Sequence, residues 1–262
     1  MRTATVNGVD LHYRLDGPDG GPAVVFANSL GTDLRVWDAL LPHLPQGLRL
    51  LRYDKRGHGL SEETPGPYGI DQLADDAAAL IGHLGLSDVV FVGLSIGGLI
   101  GQSLAARHGG LLRGLVISNS AARIGDPAMW RDRIAAIRRD GLASIGAATM
   151  ERWFSPAFRR SGAAAPWQRM LERQPLDGYA ACCEAIAAAD LRGDAARLRL
   201  PVQLIAGARD GSTPPDLVGD TARLIADARF DVIPDAGHIP CVETPAAHAA
   251  ILARFMKEIG HV

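Results

Sequence analysis

Three residue types that can act together in hydrolysis occur in order along the chain, each after an apolar run of strand length. Ser95 lies in residues 93–97, which have the pattern G-x-S-x-G, and Asp210 and His238 follow further on. A serine hydroxyl is a weak nucleophile until a base takes its proton, and a carboxylate must hold a histidine base in one tautomer. The order Ser, Asp, His therefore predicts Ser95 as nucleophile, His238 as general base and Asp210 as its acidic partner.

The residues around Ser95 have the local context that such a nucleophile needs. Residues 89–92 (VVFV) read as a buried strand, and a helical pattern follows the glycines after Ser95. The turn between a strand and a helix is sharp and strained at this position, so the flanking residues must leave room for the crossing backbone. We therefore expect Ser95 to stand clear of a sheet at a helix N-terminus, although a plain glycine-rich turn would have the same sequence.

The acid and the base have rivals in the sequence. Asp235 could be the acid, in which case Asp210 would only cap a turn, and the base could be His58, His108 or His248. The segments that end in Asp210 and in the favoured histidine both follow strand patterns. Active groups of open α/β sheets collect at the carboxyl ends of strands, which favours the first assignment.

A second loop is placed to supply part of an oxyanion hole. Residues 27–32 (ANSLGT) follow the apolar run at 24–26, where a backbone N–H donor is expected in this arrangement. The N–H groups of Leu30 and Ile96 are the candidate donors. The alternative is that residues 28–31 form only a connecting loop.

Apolar runs and amphipathic segments alternate along the chain and predict an α/β fold. The strand candidates are residues 23–26, 48–53, 89–92, 115–118, 202–206 and 229–233, and the helix candidates are residues 34–44, 70–84, 97–108, 215–226 and 245–259. The alternation predicts a mostly parallel sheet with helices on both faces. It breaks between residues 121 and 199, so we expect a core of residues 1–120 and 200–262 with a helical cap, 121–199, inserted into it.

Composition excludes several classes of protein. The chain has 262 residues, of which 47% are apolar and 21% charged, so a large core is expected and disorder is not. Lys and Arg number 27 against 29 Asp and Glu, without a basic block, so neither nucleic-acid nor membrane binding is expected. The first residues lack the apolar segment of a secretion signal, and no run is long enough to span a bilayer, which predicts a cytoplasmic protein.

Cysteine and histidine spacing gives no sign of a metal site or of a disulfide framework. The three cysteines, Cys182, Cys183 and Cys241, cannot all pair, and we expect them to be buried thiols. The histidines form no H-E-x-x-H run, and the glycine-rich stretches lack the lysine of a phosphate loop. No metal and no cofactor are therefore expected.

Together with residues 54–61 (DKRGHGLS), these segments resemble the α/β-hydrolase superfamily over nearly the whole chain. Within it, residues 28–32 (NSLGT), 152–154 (RWF), 178–183 (GYAACC) and 189–190 (AD) are most similar to 3-oxoadipate enol-lactonases, whereas many other hydrolases carry His-Gly at positions 28 and 29. The resemblance implies hydrolysis of 3-oxoadipate enol-lactone to 3-oxoadipate through an acyl-enzyme. This is a step of the β-ketoadipate pathway for protocatechuate and catechol, and it needs no cofactor.

A small carboxylated lactone as substrate would require a cation in the pocket. The cap offers five arginines, namely Arg131, Arg133, Arg138, Arg139 and Arg152. We favour Arg133, because the segment around it resembles the start of the family's cap and a guanidinium suits a carboxylate. Trp153 is a candidate pocket wall. A solvated helix face for Arg133 and a role in the cap core for Trp153 are the alternatives.

Other functions fit the same residues. A general carboxylesterase or perhydrolase would share Ser95 and its partners with a different pocket, and a C–C bond hydrolase would also share the cap. A ligand receptor on the same fold would need no turnover at all. The sequence gives no indication of whether the protein is a monomer or a homo-oligomer.

Overall fold

An eight-stranded β-sheet forms the centre of the protein in a computed structural model, which describes residues 2–262. Its strands are β1 (Arg2–Val6), β2 (Val9–Asp16), β3 (Ala23–Ala27), β4 (Arg49–Tyr53), β5 (Val89–Leu94), β6 (Leu112–Ser118), β7 (Val202–Gly207) and β8 (Arg229–Ile233). They lie in the order β1-β2-β4-β3-β5-β6-β7-β8. The pairs β1–β2 and β2–β4 are antiparallel, and the other pairs are parallel. The predicted mostly parallel α/β sheet is confirmed.

Helices connect and cover the strands. The α-helices are α1 (Ile70–His83), α2 (Ile96–His108), α3 (Pro127–Asp140), α4 (Gly146–Trp153), α5 (Pro156–Arg160), α6 (Ala165–Glu172), α7 (Leu176–Ala188), α8 (Arg192–Ala195), α9 (Pro215–Leu224), α10 (Pro240–Glu243) and α11 (Pro245–Glu258). Helix α2 packs on β5 and β6, and α9 packs on β7 and β8. Of the helices described within residues 2–262, none has the length and apolar character that crossing a membrane would take.

Burial on both faces explains why the central strands read as continuous apolar runs. Every residue of β3, β5 and β7 is buried. A parallel strand that is covered by helices on both sides has no solvent face, so it loses the alternation of apolar and polar residues. The edge strand β8 keeps some exposed positions. The three free cysteines are buried, as expected.

The antiparallel hairpin of β1 and β2 was missed by the sequence analysis. The two strands are joined at Asn7 and Gly8, both of which have positive φ values, 47° and 71°. An Asn-Gly pair between short alternating segments is a strong hairpin signal, because both residues tolerate this conformation. The signal was therefore present in the sequence.

The prediction of one helix over residues 34–44 is wrong. The structure has two short 3-10 helices instead, Leu34–Trp37 and Leu41–His43. Pro42 cannot donate a backbone hydrogen bond, so it interrupts a longer helix. Asp33 caps the first of the two segments by accepting a hydrogen bond from the backbone N–H of Arg35.

The segment between β6 and β7 contains helices α3 to α8 and one short 3-10 helix, Leu142–Ile145. Helix α3 packs against α7, and α4 packs against α6. Helix α7 is buried along most of its length, so it joins this helical layer to the rest of the protein. The layer covers the ends of β5, β7 and β8 at which the candidate site residues lie.

Candidate active site

Ser95 lies on a strained turn between β5 and α2. Its backbone has φ 58° and ψ −119°, a left-handed conformation that a residue with a side chain rarely adopts. A Cβ atom at Gly93 would collide with the backbone of Gly97, and one at Gly97 would collide with the carbonyl oxygen of Ala27 on β3. The two glycines of the pattern thus permit the close crossing that holds this turn at the end of the sheet.

The loops that follow β7 and β8 bring Asp210 and His238 together. Asp210 Oδ2 is 2.8 Å from His238 Nδ1, and both side chains are buried. With Nδ1 hydrogen-bonded to the carboxylate, Nε2 is the ring nitrogen left for a reacting group. The pair has the arrangement of a general base held by an acid.

Asp210 is kept ionised by its hydrogen bonds. It accepts from the backbone N–H groups of Ser212 (2.7 Å) and Thr213 (2.9 Å), and from the Thr213 hydroxyl (2.7 Å) and Asn119 Nδ2 (2.9 Å). Burial opposes ionisation of this carboxyl, but the attraction of His238 and these hydrogen bonds outweigh it and lower its pKa. Asp210 is therefore an anion that can stabilise a protonated imidazole.

Ser95 and His238 face one cavity of about 360 Å³. Leu30, Arg133 and Trp153 also line it. The volume suits a small molecule of the size of a lactone or a short ester. The structure thus gathers residues from the core loops and from the helices between β6 and β7 around a single pocket.

The rival acid and bases lie elsewhere. Asp235 is exposed to solvent. His108 Nε2 is 2.7 Å from Asp75 Oδ1, and His248 Nε2 is 3.4 Å from the hydroxyl of Ser118. None of these residues lines the cavity that contains the serine.

The two candidate oxyanion donors, one on a residue that lines this cavity and one on the residue after Ser95, have unused backbone N–H groups. Ile96 is the first residue of α2, so its N–H has no acceptor within the helix. Leu30 lies in the loop after β3 and lines the cavity. Within residues 2–262, neither N–H donates a hydrogen bond to another part of the chain. Both are free to donate to an oxygen that carries negative charge.

Two guanidinium groups reach the cavity from the helical segment, Arg133 from α3 and Arg152 from α4. Arg133 donates from Nε to the hydroxyl of Tyr179 at 3.0 Å, and its guanidinium lies over the rings of Trp130 and Tyr179. Arg152 has no side-chain hydrogen bond or ion pair with any residue that the structure describes. Burial lowers the pKa of Arg152, and the like charge of Arg133 lowers it further. The pocket therefore holds a cation without a counterion.

The other three candidate arginines of this helical segment are directed to the surface. Arg131, Arg138 and Arg139 are exposed. Arg138 pairs with Asp177, and Arg139 pairs with Asp140. They are not among the residues that line the cavity.

Comparison with known proteins identifies the family. A family model for the alpha/beta hydrolase fold matches residues 22–245. The chain belongs to the α/β-hydrolase family. The resemblance noted in the sequence is thereby confirmed.

Among its relatives, this hydrolase is 38% identical to 3-oxoadipate enol-lactonase 2 of Acinetobacter baylyi, over 97% of both chains. The crystal structure of the enol-lactonase from Burkholderia xenovorans superimposes with a TM-score of 0.94 at 39% identity, and the match covers 98% of this chain and 100% of that one. A thermophilic esterase from Thermogutta terrifontis, solved with malate bound, superimposes with a TM-score of 0.93 at 27% identity over the full length of both. The relatives support an enzyme that hydrolyses an ester-type bond of a lactone.

Sequence reasoning missed one residue that organises the site of this hydrolase. Asn119 follows the last residue of β6, has a φ of 47°, and donates from Nδ2 both to Asp210 and to the carbonyl oxygen of Gly237 at 3.1 Å. It thereby ties the acid loop to the histidine loop. Its position at the carboxyl end of a central strand, as with Ser95, was the signal that could have found it.

The helical segment is tied to the same two loops by backbone hydrogen bonds. The N–H of Gly211 donates to the carbonyl oxygen of Arg152 at 3.0 Å, and the N–H of His238 donates to that of Trp153 at 2.7 Å. Glu243 accepts from the backbone N–H groups of Gly237 (2.8 Å) and Ser155 (3.1 Å). The end of α4 and the acid and histidine loops of this hydrolase thus form one connected unit.

Proposed function

We propose that this hydrolase opens 3-oxoadipate enol-lactone to 3-oxoadipate. The main support for this proposal is the unpaired guanidinium of Arg152, which lines the same cavity as Ser95 and His238. An uncompensated cation in a buried pocket is suited to an anionic substrate, and a guanidinium can bind a carboxylate through two parallel hydrogen bonds. Similarity to enol-lactonases over nearly the whole chain supports the same substrate.

In the first step, Ser95 Oγ attacks the lactone carbonyl carbon while His238 Nε2 takes the hydroxyl proton. Asp210 stabilises the imidazolium that forms. The carbonyl oxygen becomes an oxyanion, which accepts hydrogen bonds from the N–H groups of Leu30 and Ile96. The bond between the carbonyl carbon and the ring oxygen then breaks, and the electron pair leaves with that oxygen.

The leaving group is the oxygen of an enol, which separates readily from the carbonyl carbon. Because the substrate is a ring, this oxygen stays attached to the other end of the same molecule. It takes the proton that His238 Nε2 holds, which leaves the imidazole neutral, and the enol then becomes the ketone, so that a 3-oxoadipyl ester of Ser95 remains. His238 then accepts a proton from a water molecule that attacks this ester. Collapse of the second tetrahedral intermediate returns the proton to Ser95 Oγ and releases the dicarboxylate.

The residues of the helical segment bind the part of the substrate that does not react. We assign Arg152 to binding of the substrate carboxylate. Arg133, which is held in place by Tyr179, supplies a second positive charge to the same cavity. Trp153 is buried and forms part of the cavity wall. In this proposal residues 121–199 act as a cap on a core of residues 1–120 and 200–262, and the reaction takes place in the cytoplasm.

The test is the ratio of kcat/KM for the enol-lactone to that for a neutral aryl ester, measured for the natural protein and for Ser95→Ala. We expect the ratio to favour the lactone strongly. Ser95→Ala should lose about a thousandfold or more in kcat, since removing the nucleophile disables the whole relay. Ser161→Ala, at the exposed residue that follows α5, is the matched control and should keep full activity. Full lactonase activity in Ser95→Ala would overturn the proposal.

A general carboxylesterase is the second candidate, because a structure as similar as the malate-bound esterase shares this architecture. The same assay separates the two. An esterase would turn over aryl esters at least as well as the lactone, and would be insensitive to loss of the Arg152 charge. Reaction of Ser95 with a fluorophosphonate would occur in both cases and would exclude a receptor without turnover.

A further inference from the structure

Lys55 is a buried ammonium group that the reaction as described does not use. Only 2% of the residue is exposed, and its Nζ donates to the carbonyl oxygen of Ser29 at 2.8 Å. This is its one side-chain hydrogen bond among residues 2–262, and no carboxylate there lies within ion-pair distance of it. Burying a charge without a counterion is costly. A functional role would explain why this ammonium group is buried next to the loop after β3.

The carbonyl that Lys55 contacts belongs to the peptide group that contains the N–H of Leu30. This peptide bond is trans, so its C=O and N–H point in opposite directions. Ser29 and Leu30 line the cavity, whereas Lys55 does not. The ammonium group thus holds one end of the peptide group while the other end is the candidate oxyanion donor.

Further hydrogen bonds fix the loop in this orientation. The same carbonyl oxygen accepts from the hydroxyl of Thr32 at 3.0 Å and from its N–H at 3.3 Å. On the other side of Leu30, the N–H of Gly31 donates to His58 Nε2 at 3.0 Å. Gly31 has a φ of 78°, which suits glycine, and a Cβ atom there would collide with Leu171. The N–H of Leu30 thus lies between two fixed points of the loop and has no acceptor among residues 2–262.

We propose that Lys55 is a positioning residue that orients and polarises the Ser29–Leu30 peptide group, so that the Leu30 N–H binds the oxyanion more strongly. A cation at the carbonyl oxygen draws electrons towards that end and leaves more positive charge on the N–H. Hydrogen bonds in such a chain strengthen one another. A donor that is fixed before the reaction stabilises the charge that develops in the transition state, and so raises kcat more than it lowers KM. This inference rests on the proposed function of Ser95.

The charge of Lys55 is set by the groups around it. Burial lowers the pKa of Lys55 to about 8, while the nearby Asp54 and Asp33 favour its charged form. Cys182 is a neutral thiol, because burial raises its pKa to about 12. His58 has a pKa well below its ordinary value because of burial and of the charge on Lys55, so it is neutral. Lys55 is therefore charged at neutral pH and loses its charge as the pH rises through about 8.

The experiment compares Lys55→Met, Lys55→Arg and Thr32→Val with the natural protein. Lys55→Met keeps the volume but removes the charge and the donor, and we expect kcat to fall by at least about tenfold with little change in KM. Lys55→Arg should recover a large part of kcat. Thr32→Val removes a neutral donor to the same carbonyl and should lose less than Lys55→Met.

Two further readouts separate this role from a purely structural one. Affinity for an alkyl boronic acid, which forms a tetrahedral adduct with the serine, should fall in Lys55→Met, while affinity for the product 3-oxoadipate should not. In the natural protein kcat should decline above about pH 8, and Lys55→Met should lack this decline. Thermal unfolding of Lys55→Met should occur at no lower temperature than in the natural protein, because a buried charge has been removed.

The outcomes distinguish the two proposals. If Ser95→Ala is inactive but Lys55→Met has natural kcat and boronic acid affinity, the role of Lys55 is wrong and the proposed reaction stands. The same conclusion follows if Lys55→Met raises KM and lowers kcat equally, without a change in the pH profile. If Ser95→Ala keeps full activity, the proposed reaction fails, and with it the assignment of the Leu30 N–H.

Discussion

Under the proposed function, we expect discrimination between charged and neutral substrates to depend on Arg152. Its guanidinium lines the cavity, and none of residues 2–262 offers it a side-chain hydrogen bond or an ion pair. Arg133 is different, because Tyr179 and Thr149 already accept its hydrogen bonds. A carboxylate would therefore gain more from Arg152 than from its neighbour.

We predict that Arg152→Met raises KM for the anionic lactone by about tenfold to a hundredfold, the range expected when a charge-assisted hydrogen bond is lost. KM for a neutral aryl ester should change little. Arg133→Met should have a smaller effect on the lactone, and Arg131→Met, on the exposed side of α3, should have none. Steady-state kinetics on both substrates test this, and equal KM changes for the two substrates would contradict it.

At the scale of single residues, the sequence indicated much of the site because each reacting group follows a strand. Ser95, Asp210 and His238 were selected on that basis, and the structure brings the last two into hydrogen-bond contact. The choice among the cap arginines could not be made in this way. Helical spacing does not tell which guanidinium groups of α3 and α4 point inward, since this depends on how the helices pack. Arg133 was favoured because its segment resembles the family's cap, and it lines the cavity together with Arg152.

At the scale of elements, α10 acts as a connector between the helical segment and the histidine loop. Its last residue, Glu243, accepts hydrogen bonds from Gly237 beside His238 and from Ser155 after α4. The carboxylate is half-buried, so both N–H groups would lack a good acceptor without it. The position of the imidazole therefore depends on a residue outside the cavity.

We predict that Glu243→Gln lowers kcat for the lactone by about tenfold, with a small change in KM. The amide has a single acceptor oxygen, so one of the two N–H groups loses its partner at a cost of about 1–3 kcal/mol. Glu151→Gln, on the exposed face of α4, is the control and should behave like the natural protein. Unchanged kcat and unchanged unfolding temperature in Glu243→Gln would show that this connection is not needed.

Strands and helices were predicted correctly where burial determines the pattern of apolar residues. The prediction failed where a turn, a proline or a cap determines the local structure. The central strands are apolar except for the buried Gln203 of β7, because helices cover them, and they were predicted from this pattern. The N-terminal hairpin depends on a two-residue turn, Asn7-Gly8, and was overlooked. The segment after β3 has helical periodicity, but Pro42 and the cap at Asp33 divide it into short turns.

At the scale of the whole molecule, His248 makes stability sensitive to acid. It lies on α11, is fully buried, and its Nδ1 has no hydrogen-bond partner in the described part of the chain. Burial lowers its pKa to about 3 from the ordinary value of 6.5. The folded state keeps this ring neutral while the unfolded chain binds a proton below pH 6.5, so stability is lost as the pH falls from 6.5 towards 3.

We predict that His248→Leu removes this part of the acid sensitivity. The difference in unfolding free energy between pH 7 and pH 4, measured by denaturant titration, should be smaller in the variant by about 3 kcal/mol. His83→Gln, at an exposed position on α1, should leave the difference unchanged. If the unfolding free energy of His248→Leu has the same pH dependence as that of the natural protein, protonation of this ring does not contribute to the acid sensitivity.

The backbone bonds from Gly211 and His238 to the end of α4 have a consequence for how substrate range can change in this architecture. The acceptors are backbone carbonyl groups of residues 152 and 153, so a helical insertion transplanted from a relative would supply them only if its backbone followed the same path at this junction. A chimera with a different path there would alter the pocket and shift the imidazole at the same time. Exchanging inward-facing side chains while keeping the 152–155 junction is the route by which a new specificity could arise without loss of turnover.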